Sequence, residues 1–170
     1  MQIGVIGSHK SATRKSKELA YLVGKEIAGN KATLVCGGLG GVMEAACRGA
    51  KDNGGTTVGI LPGEKHGEAN RYVDVVLPTG LGHRRNSLVV MSSHGVIAVQ
   101  GEVGTLSEMC YAWMYDKPIV VLRGSGGYSD VFAGKTLDEK HKWVIGYSKS
   151  PGRAVKKLIA LIEERCSIEE

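Results

Sequence analysis

Three short segments of this chain carry residue types that suit an anionic ligand. The first is Val99-Gln100-Gly101-Glu102-Val103-Gly104-Thr105-Leu106-Ser107-Glu108, an apolar run, a glycine turn and the start of a helical pattern. Backbone N–H groups in the first turn of a helix have no intrahelical acceptor and attract phosphate. Gly101 and Gly104 let the backbone come close to a ligand, and the Thr105 hydroxyl offers one more hydrogen bond. Thr105-x-x-Glu108 has the spacing of a capping box, the reading of Glu108 that spacing alone favours. The second segment, Cys36-Gly37-Gly38-Leu39-Gly40-Gly41-Val42-Met43-Glu44, also joins a strand to a helix, through Gly37, Gly38, Gly40 and Gly41. It is not a dinucleotide fingerprint, because Met43 stands where G-x-G-x-x-G needs its last glycine, and no G-K-[ST] marks a P-loop. The third is Gly80-Leu81-Gly82-His83-Arg84-Arg85-Asn86-Ser87. Guanidinium forks bind phosphate and carboxylate bidentately, and of two adjacent arginines one must face elsewhere; a solvated pair is the plain alternative. Gly7 and Ser8, within Gly7-Ser8-His9-Lys10-Ser11, either bind phosphate or only cap the helix that follows.

The elements that must position these segments alternate along the chain. Strands are expected at Gln2–Gly7, Ala32–Cys36, Thr56–Leu61, Tyr72–Leu77, Gly95–Val99, Pro118–Leu122 and Trp143–Tyr147, and helices at Ser11–Ala28, Gly41–Asp52, His83–Ser93, Thr105–Tyr115 and Pro151–Cys166. Residues 62–71 read as a loop, 124–142 as ambiguous and 167–170 as a frayed tail. Alternating strands and helices imply parallel βαβ units. The strand runs are rich in Val, Ile and Leu without alternation, as expected of strands buried on both faces. The expectation is one α/β domain over residues 1–170, a Rossmann-like doubly wound parallel sheet of about seven strands with helices on both faces.

Composition narrows the function. Glycine numbers 25 of 170 residues, about twice the usual level of roughly 7%. More than half of them fall at the carboxyl ends of the expected strands, the edge where open parallel sheets bind ligands. A net charge of +5 favours anionic ligands. Aromatic residues make up 5%, too few for base stacking along a nucleic-acid strand. No apolar stretch is long enough for a membrane helix, and Met1 leads straight into the first strand, so a cytoplasmic protein is expected. Cys36, Cys47, Cys110 and Cys166 form no CxxC pair and read as reduced and mostly buried. His9, His66, His83, His94 and His141 are scattered, which gives no spacing for a metal, and nothing calls for a cofactor. Met43, Met91, Met109 and Met114 read as core filler, and Asp74 and Asp116 have no partner that spacing reveals.

Together, Gly37-Gly38-Leu39-Gly40-Gly41-Val42-Met43, Gly59-Ile60-Leu61-Pro62, Arg84-Arg85-Asn86 and Gly101-Glu102-Val103-Gly104-Thr105-Leu106-Ser107-Glu108 resemble the LOG-like (Lonely Guy) family over nearly the whole chain. The branch it most resembles is the small one that is also similar to molybdenum-cofactor carrier proteins. The resemblance implies a Rossmann fold and a site for a nucleoside 5′-monophosphate such as AMP, or a nucleotide-derived cofactor carried as cargo. It implies hydrolysis of an N-glycosidic bond, releasing base and ribose 5-phosphate, with lysine decarboxylation disfavoured. The 101–105 turn would cradle phosphate and Glu108 would act at the ribose, by the logic of glycoside hydrolysis. Arg85 matches the family's catalytic arginine, and Asn86 follows it in the ligand-binding set. A homodimer or larger homo-oligomer is implied, through Met91, Met109 and their helices.

Four positions depart from the family pattern: Gln100 replaces a proline, Glu102 a glycine, Asn86 a lysine and Ser107 the first of two acidic residues. Glu102 puts a carboxylate into the phosphate turn, where it repels an anion unless it turns away. A phosphoribohydrolase and a non-catalytic carrier of a phosphorylated ligand therefore stand side by side, with single-stranded DNA binding a distant third.

Overall fold

The computed structural model describes residues 1–139 and 143–169. Lys140, His141, Lys142 and Glu170, which belong to the ambiguous stretch, the histidine set and the tail, lie outside the described residues. Seven strands among the described residues form one parallel sheet: β1 (Gln2–Gly7), β2 (Thr33–Cys36), β3 (Thr57–Leu61), β4 (Val75–Pro78), β5 (Gly95–Val99), β6 (Ile119–Leu122) and β7 (Gly146–Ser148). Their order is β4-β3-β2-β1-β5-β6-β7, the doubly wound arrangement. Among the described residues six α-helices cover it: α1 (Arg14–Gly29), α2 (Val42–Lys51), α3 (Asn86–Met91), α4 (Val103–Met114), α5 (Gly127–Phe132) and α6 (Pro151–Glu169).

The apolar runs bury both faces of the sheet. Ile3 and Val5 of β1 and Ile97 and Val99 of β5 pack with α1, α2 and α6. Ile6, Val96 and Ala98 point the other way, into a second cluster with Val89, Met109, Ala112 and Trp113 of α3 and α4. Strand order reverses between β1 and β5, whose register runs from Ile3↔Gly95 to Gly7↔Val99. Both strands thus end at one level, and the chain leaving β1 sits beside the chain leaving β5. That gap is where such sheets bind ligands.

Several boundaries differ from the sequence reading. Helix α1 starts at Arg14, not Ser11, because the Thr13 side chain accepts a hydrogen bond from Ser16 N–H and caps it. The helix expected over His83–Ser93 is a 3₁₀ turn at Gly82–Arg85 followed by only six α-helical residues. Strand β4 begins three residues late, at Val75, and β7 is Gly146–Ser148 instead of Trp143–Tyr147. The Trp143 indole instead donates to Asp116 Oδ1 at 2.7 Å. Asp74 accepts from Lys51 Nζ at 2.6 Å and Thr57 N–H at 3.0 Å, tying the edge strand to α2. The methionines divide: Met43 and Met109 are buried, while Met91 and Met114 are exposed. Of the cysteines, Cys36 and Cys47 are buried, Cys110 is half-buried and Cys166 is exposed. Cys36 and Cys47 lie 11 apart in sequence, yet their sulfurs sit 3.5 Å apart in a hydrogen bond.

Candidate functional site

The turn between β5 and α4 is built from two left-handed residues, Gln100 at φ 59° and Gly101 at φ 102°. Proline, fixed near −65°, cannot take the first of these conformations, so Gln100 marks a different turn from the one the family pattern implies. Its N–H donates to Ser125 Oγ at 2.7 Å. Its side chain accepts from Thr13 N–H at 3.1 Å and donates to the Ser11 carbonyl at 3.0 Å. Gly101 N–H donates to Ser8 Oγ at 3.1 Å. The turn is therefore fastened to the β1–α1 loop, and Ser8, only 2% exposed, spends its hydroxyl on that joint.

This sharp reversal starts α4 at Val103, with extended Glu102 at the N-cap position and no capping bond from its side chain. The capping-box reading of Thr105 and Glu108 fails for that reason: Thr105 already lies inside the first turn, and Glu108 is one turn further in. Leu106 N–H makes the first helical bond, to the Glu102 carbonyl. The N–H groups of Val103, Gly104 and Thr105 precede it and have no intrahelical acceptor. A Cβ at Gly104 would meet no atom within 4 Å, so space for a ligand lies directly against this helix end.

The space is a cavity of about 220 Å³, lined in part by Gly7, Ser8, Arg85, Asn86, Gly104, Thr105 and Glu108. These seven sequence-predicted residues come together from three segments. Arg84 is exposed and does not line it. Gly37, Gly38, Gly40, Gly41 and Gly101 do not line it either; they shape what surrounds it. Gly41, at φ +70°, lies so close to the β1–α1 loop that a Cβ would sit 2.2 Å from the His9 carbonyl oxygen. A Cβ on Gly37 would strike the Arg85 guanidinium at 2.3 Å. His9, Leu39, Met43, His83 and Glu102 complete the wall. The two histidines and Glu102 stand within the segments singled out, but a lone histidine has no spacing to mark it. A larger groove, about 430 Å³, runs between α1 and α2 past Arg14, Lys17, Glu44 and Arg48, and of the predicted set includes only Gly41.

Deep in the cavity, Glu108 and Arg85, each 7% exposed, face one another with 3.8 Å between Oε1 and Nη1. Burial pushes the Glu108 carboxyl up to about 8, and the Arg85 charge opposes that rise. Burial also holds Arg85 below its usual range. The guanidinium is committed within the protein: Nη1 donates to Asn86 Oδ1 and Nη2 to the Gly37 carbonyl at 3.2 Å. Its Nε finds no partner among the described residues. Asn86 Nδ2 donates to Ser107 Oγ at 2.9 Å, and Ser107 Oγ donates to the Gly104 carbonyl at 2.6 Å. Two of the departures from the family pattern thus meet each other. Where the pattern has a lysine and an acid, this chain has a neutral amide–hydroxyl bond, which leaves Glu108 as the carboxyl group nearest Arg85 in the cavity. Nearby, the hydrogen bond shared with Cys47 lowers the Cys36 thiol and raises its partner.

Sequence and structure comparisons show the family and the fold. The profile of the SLOG cluster4 family matches residues 1–155. A protein of Archaeoglobus fulgidus described only as uncharacterized is 43% identical over 123 residues, covering 72% of this chain and 80% of the relative. A cytokinin riboside 5′-monophosphate phosphoribohydrolase of Mycobacterium tuberculosis is 36% identical over 126 residues, covering 68% and 67%. The chain spans 60% of a probable enzyme of that name from rice. Among solved structures, the molybdenum cofactor binding protein of Rippkaea orientalis superposes with a TM-score of 0.84 at 35% identity, over 95% of this chain and 96% of that one. With a glycine turn, an arginine and a buried glutamate gathered at the β1/β5 switch point and a family profile that covers all of them, the chain belongs to the SLOG cluster4 family, a LOG-like family.

Proposed function

We propose that this protein binds a nucleoside 5′-monophosphate, or a close phosphorylated analogue, in the β1/β5 cavity and hydrolyses its N-glycosidic bond. The observation that carries the reading is the buried Glu108–Arg85 pair set beside the open N-terminus of α4. The N–H groups of 103–105 and the Thr105 hydroxyl take the phosphate. At neutral pH Glu108 is largely protonated, so an entering anion meets no fixed negative charge there. A carboxyl group titrating near neutrality suits proton exchange in both directions. Glu108 hands its proton to the departing base as the bond from C1′ to nitrogen breaks. It recovers one from the water that adds to C1′, giving free base and ribose 5-phosphate. Arg85, tied to Gly37 and Asn86, fixes where the carboxyl stands. The relatives named as phosphoribohydrolases support this chemistry.

The test is to incubate the protein with nucleoside monophosphates and assay ribose 5-phosphate. Release by the native chain, lowered at least about 100-fold in Glu108→Gln, is the expected result; no release above that variant refutes hydrolysis. A second reading, a non-catalytic carrier of a phosphorylated ligand, is favoured by Glu102 in the turn and by the neutral Asn86–Ser107 bond. The likeness to a molybdenum cofactor binding protein fits it. Ligand binding without turnover would select it.

Self-association is part of the proposal. Leu88 and Met91 of α3 and Met114 of α4 are large apolar side chains at 37%, 49% and 56% exposure, on two helices packed side by side. Met109, expected at this interface, is fully buried and serves the core instead. Among the described residues, no helix is long and apolar enough to cross a membrane.

A further inference from the structure

Cys36 ends β2 and Cys47 lies inside α2, and their sulfurs meet at 3.5 Å with both side chains fully buried. A buried thiol is ordinarily an apolar core group, but these two sit in a polar setting. Gly38 N–H donates to Cys36 Sγ at 3.3 Å, and a sulfur–sulfur hydrogen bond joins that atom to Cys47. The bond to Cys47 lowers the Cys36 thiol most; burial opposes it, and the Gly38 N–H and the Arg85 charge add to the lowering. The pair also touches the candidate site. Gly37 follows Cys36, and its carbonyl accepts from Arg85 Nη2 at 3.2 Å. Met43 lines the cavity, and its Sδ would lie 2.9 Å from a Cβ on Gly37. A thin layer without a side chain at Gly37 therefore stands between the cavity and Cys36.

We propose that Cys36 and Cys47 are a redox modification site, closed to a disulfide by a hydroperoxide, and that closure withdraws the Gly37 carbonyl from Arg85. The consequence for turnover rests on the proposed hydrolysis; the bond itself does not. The thiolate is the attacking form of cysteine, and Cys36 is the sulfur whose neighbours favour that form. It attacks one peroxide oxygen and the O–O bond breaks. Cys36 becomes a sulfenic acid, and the other oxygen leaves with the Cys36 proton as an alcohol, or as water from hydrogen peroxide. Cys47 sulfur, already in contact, then attacks the Cys36 sulfur. The S–O bond breaks, and the sulfenic hydroxyl leaves with the Cys47 proton as water. The two thiols lose two electrons, which reduce the O–O bond. A disulfide holds its sulfurs about 2.05 Å apart, so closure draws the two residues together. Helix α2 is held on α1 by the backbone contacts at Gly24 and Gly49. The loop beyond Gly37 is held by Asn70, whose N–H donates to the Gly38 carbonyl at 2.8 Å and whose Nδ2 donates to the Leu39 carbonyl at 3.0 Å. The movement therefore falls on Cys36 and Gly37, where the glycine backbone gives most readily. Arg85 loses an anchor, and the Glu108 carboxyl loses a fixed guanidinium beside it.

The experiment treats the native chain with hydrogen peroxide, samples it over time, unfolds it in iodoacetamide and digests it with trypsin. Cys36 and Cys47 fall in one peptide, residues 32–48, with Met43 between them. Expected is a form of this peptide that escapes alkylation, is lighter by two hydrogens than the dithiol and is reopened by dithiothreitol. The rate of nucleoside monophosphate turnover falls about tenfold in step with the bridged fraction, as for a lost hydrogen bond to a charged group, and dithiothreitol restores it. Binding of ribose 5-phosphate, held by the N–H groups of 103–105, changes by less than about twofold. A peptide that stays fully alkylated overturns the inference, as does a rate loss that follows oxidation of Cys110 or Cys166 instead. Bridging with an unchanged rate overturns the link to Arg85. A chain that releases no ribose 5-phosphate in either state refutes hydrolysis, and the peptide alone then decides the thiol pair.

Discussion

Glu108 is the residue on which the proposed chemistry turns, and its burial makes a stability prediction of definite sign. Its carboxyl titrates at about 8 in the folded chain against an ordinary value of 4.5. Between those values the folded state keeps a proton that the unfolded chain has released, so stability falls as pH rises through the window and levels off above it. Thermal melts from pH 5 to pH 9 are expected to show that fall for the native protein and a flatter profile for Glu108→Gln. An equal fall in both would mean that Glu108 does not carry the proton. Gln100 makes the second prediction at this scale. Proline, the family's residue, would lose the N–H bond to Ser125 and the two side-chain bonds to the β1–α1 loop. It also cannot take φ 59°, so Gln100→Pro is expected to cost about 3 kcal/mol in denaturant unfolding. A neutral result would show that the turn can relax into the family's form. Glu108 and Arg85 were legible in the sequence as types at a spacing. What spacing could not supply is that Asn86 and Ser107, two separate substitutions when read along the chain, form one hydrogen bond in space.

Among the elements, the glycines have a second use beyond the sheet edge. Gly24 of α1 and Gly49 of α2 let the two helices touch backbone to backbone. A Cβ on Gly24 would lie 1.9 Å from the Ala46 carbonyl oxygen, and one on Gly49 would lie 1.9 Å from that of Tyr21. Alanine ordinarily stabilises a helix by about 1 kcal/mol over glycine. Here the nearest atoms are backbone and cannot rotate away, so overpacking wins. Gly49→Ala is expected to lower the urea midpoint by the equivalent of about 1–3 kcal/mol with an unchanged slope; a stabilised variant would refute the close packing. Periodicity located strand cores and most helices well, because burial on both sheet faces selects the same apolar runs that a reader counts. It misplaced starts. Helix α4 begins where the Gln100–Gly101 turn lets it, and α3 shrinks to six residues behind a 3₁₀ turn. Both are decided by backbone geometry that side-chain types signal poorly.

For the whole molecule, the short α3 leaves an apolar stretch of surface around Leu88, Met91 and Met114, and a second copy of the chain is the occupant proposed. Light scattering on a sizing column is expected to give at least twice the 18.0 kDa chain mass. Met91→Glu, which places a charge in the middle of that surface, is expected to return the mass to one chain without altering the melt of the monomer. A native protein already at one chain mass would remove the interface. The net charge of +5 acts at this scale too, as a field that raises the local concentration of anionic ligands and weakens with salt.

By itself the sequence determined the architecture and the gathering of glycines at one edge of the sheet, while the pairing of a glycine turn with an arginine and a glutamate came from the family resemblance. The first two follow from local rules: apolar runs, and glycine after strands. Only the tertiary structure decided which of those residues share a cavity and in what state. Burial raises the Glu108 carboxyl against the opposing charge of Arg85, and the left-handed turn at Gln100 starts α4 at Val103, so that Gly104 and Thr105 line the cavity. Both effects arise from atoms brought together from distant parts of the chain, where desolvation and contact, not composition, set the chemistry.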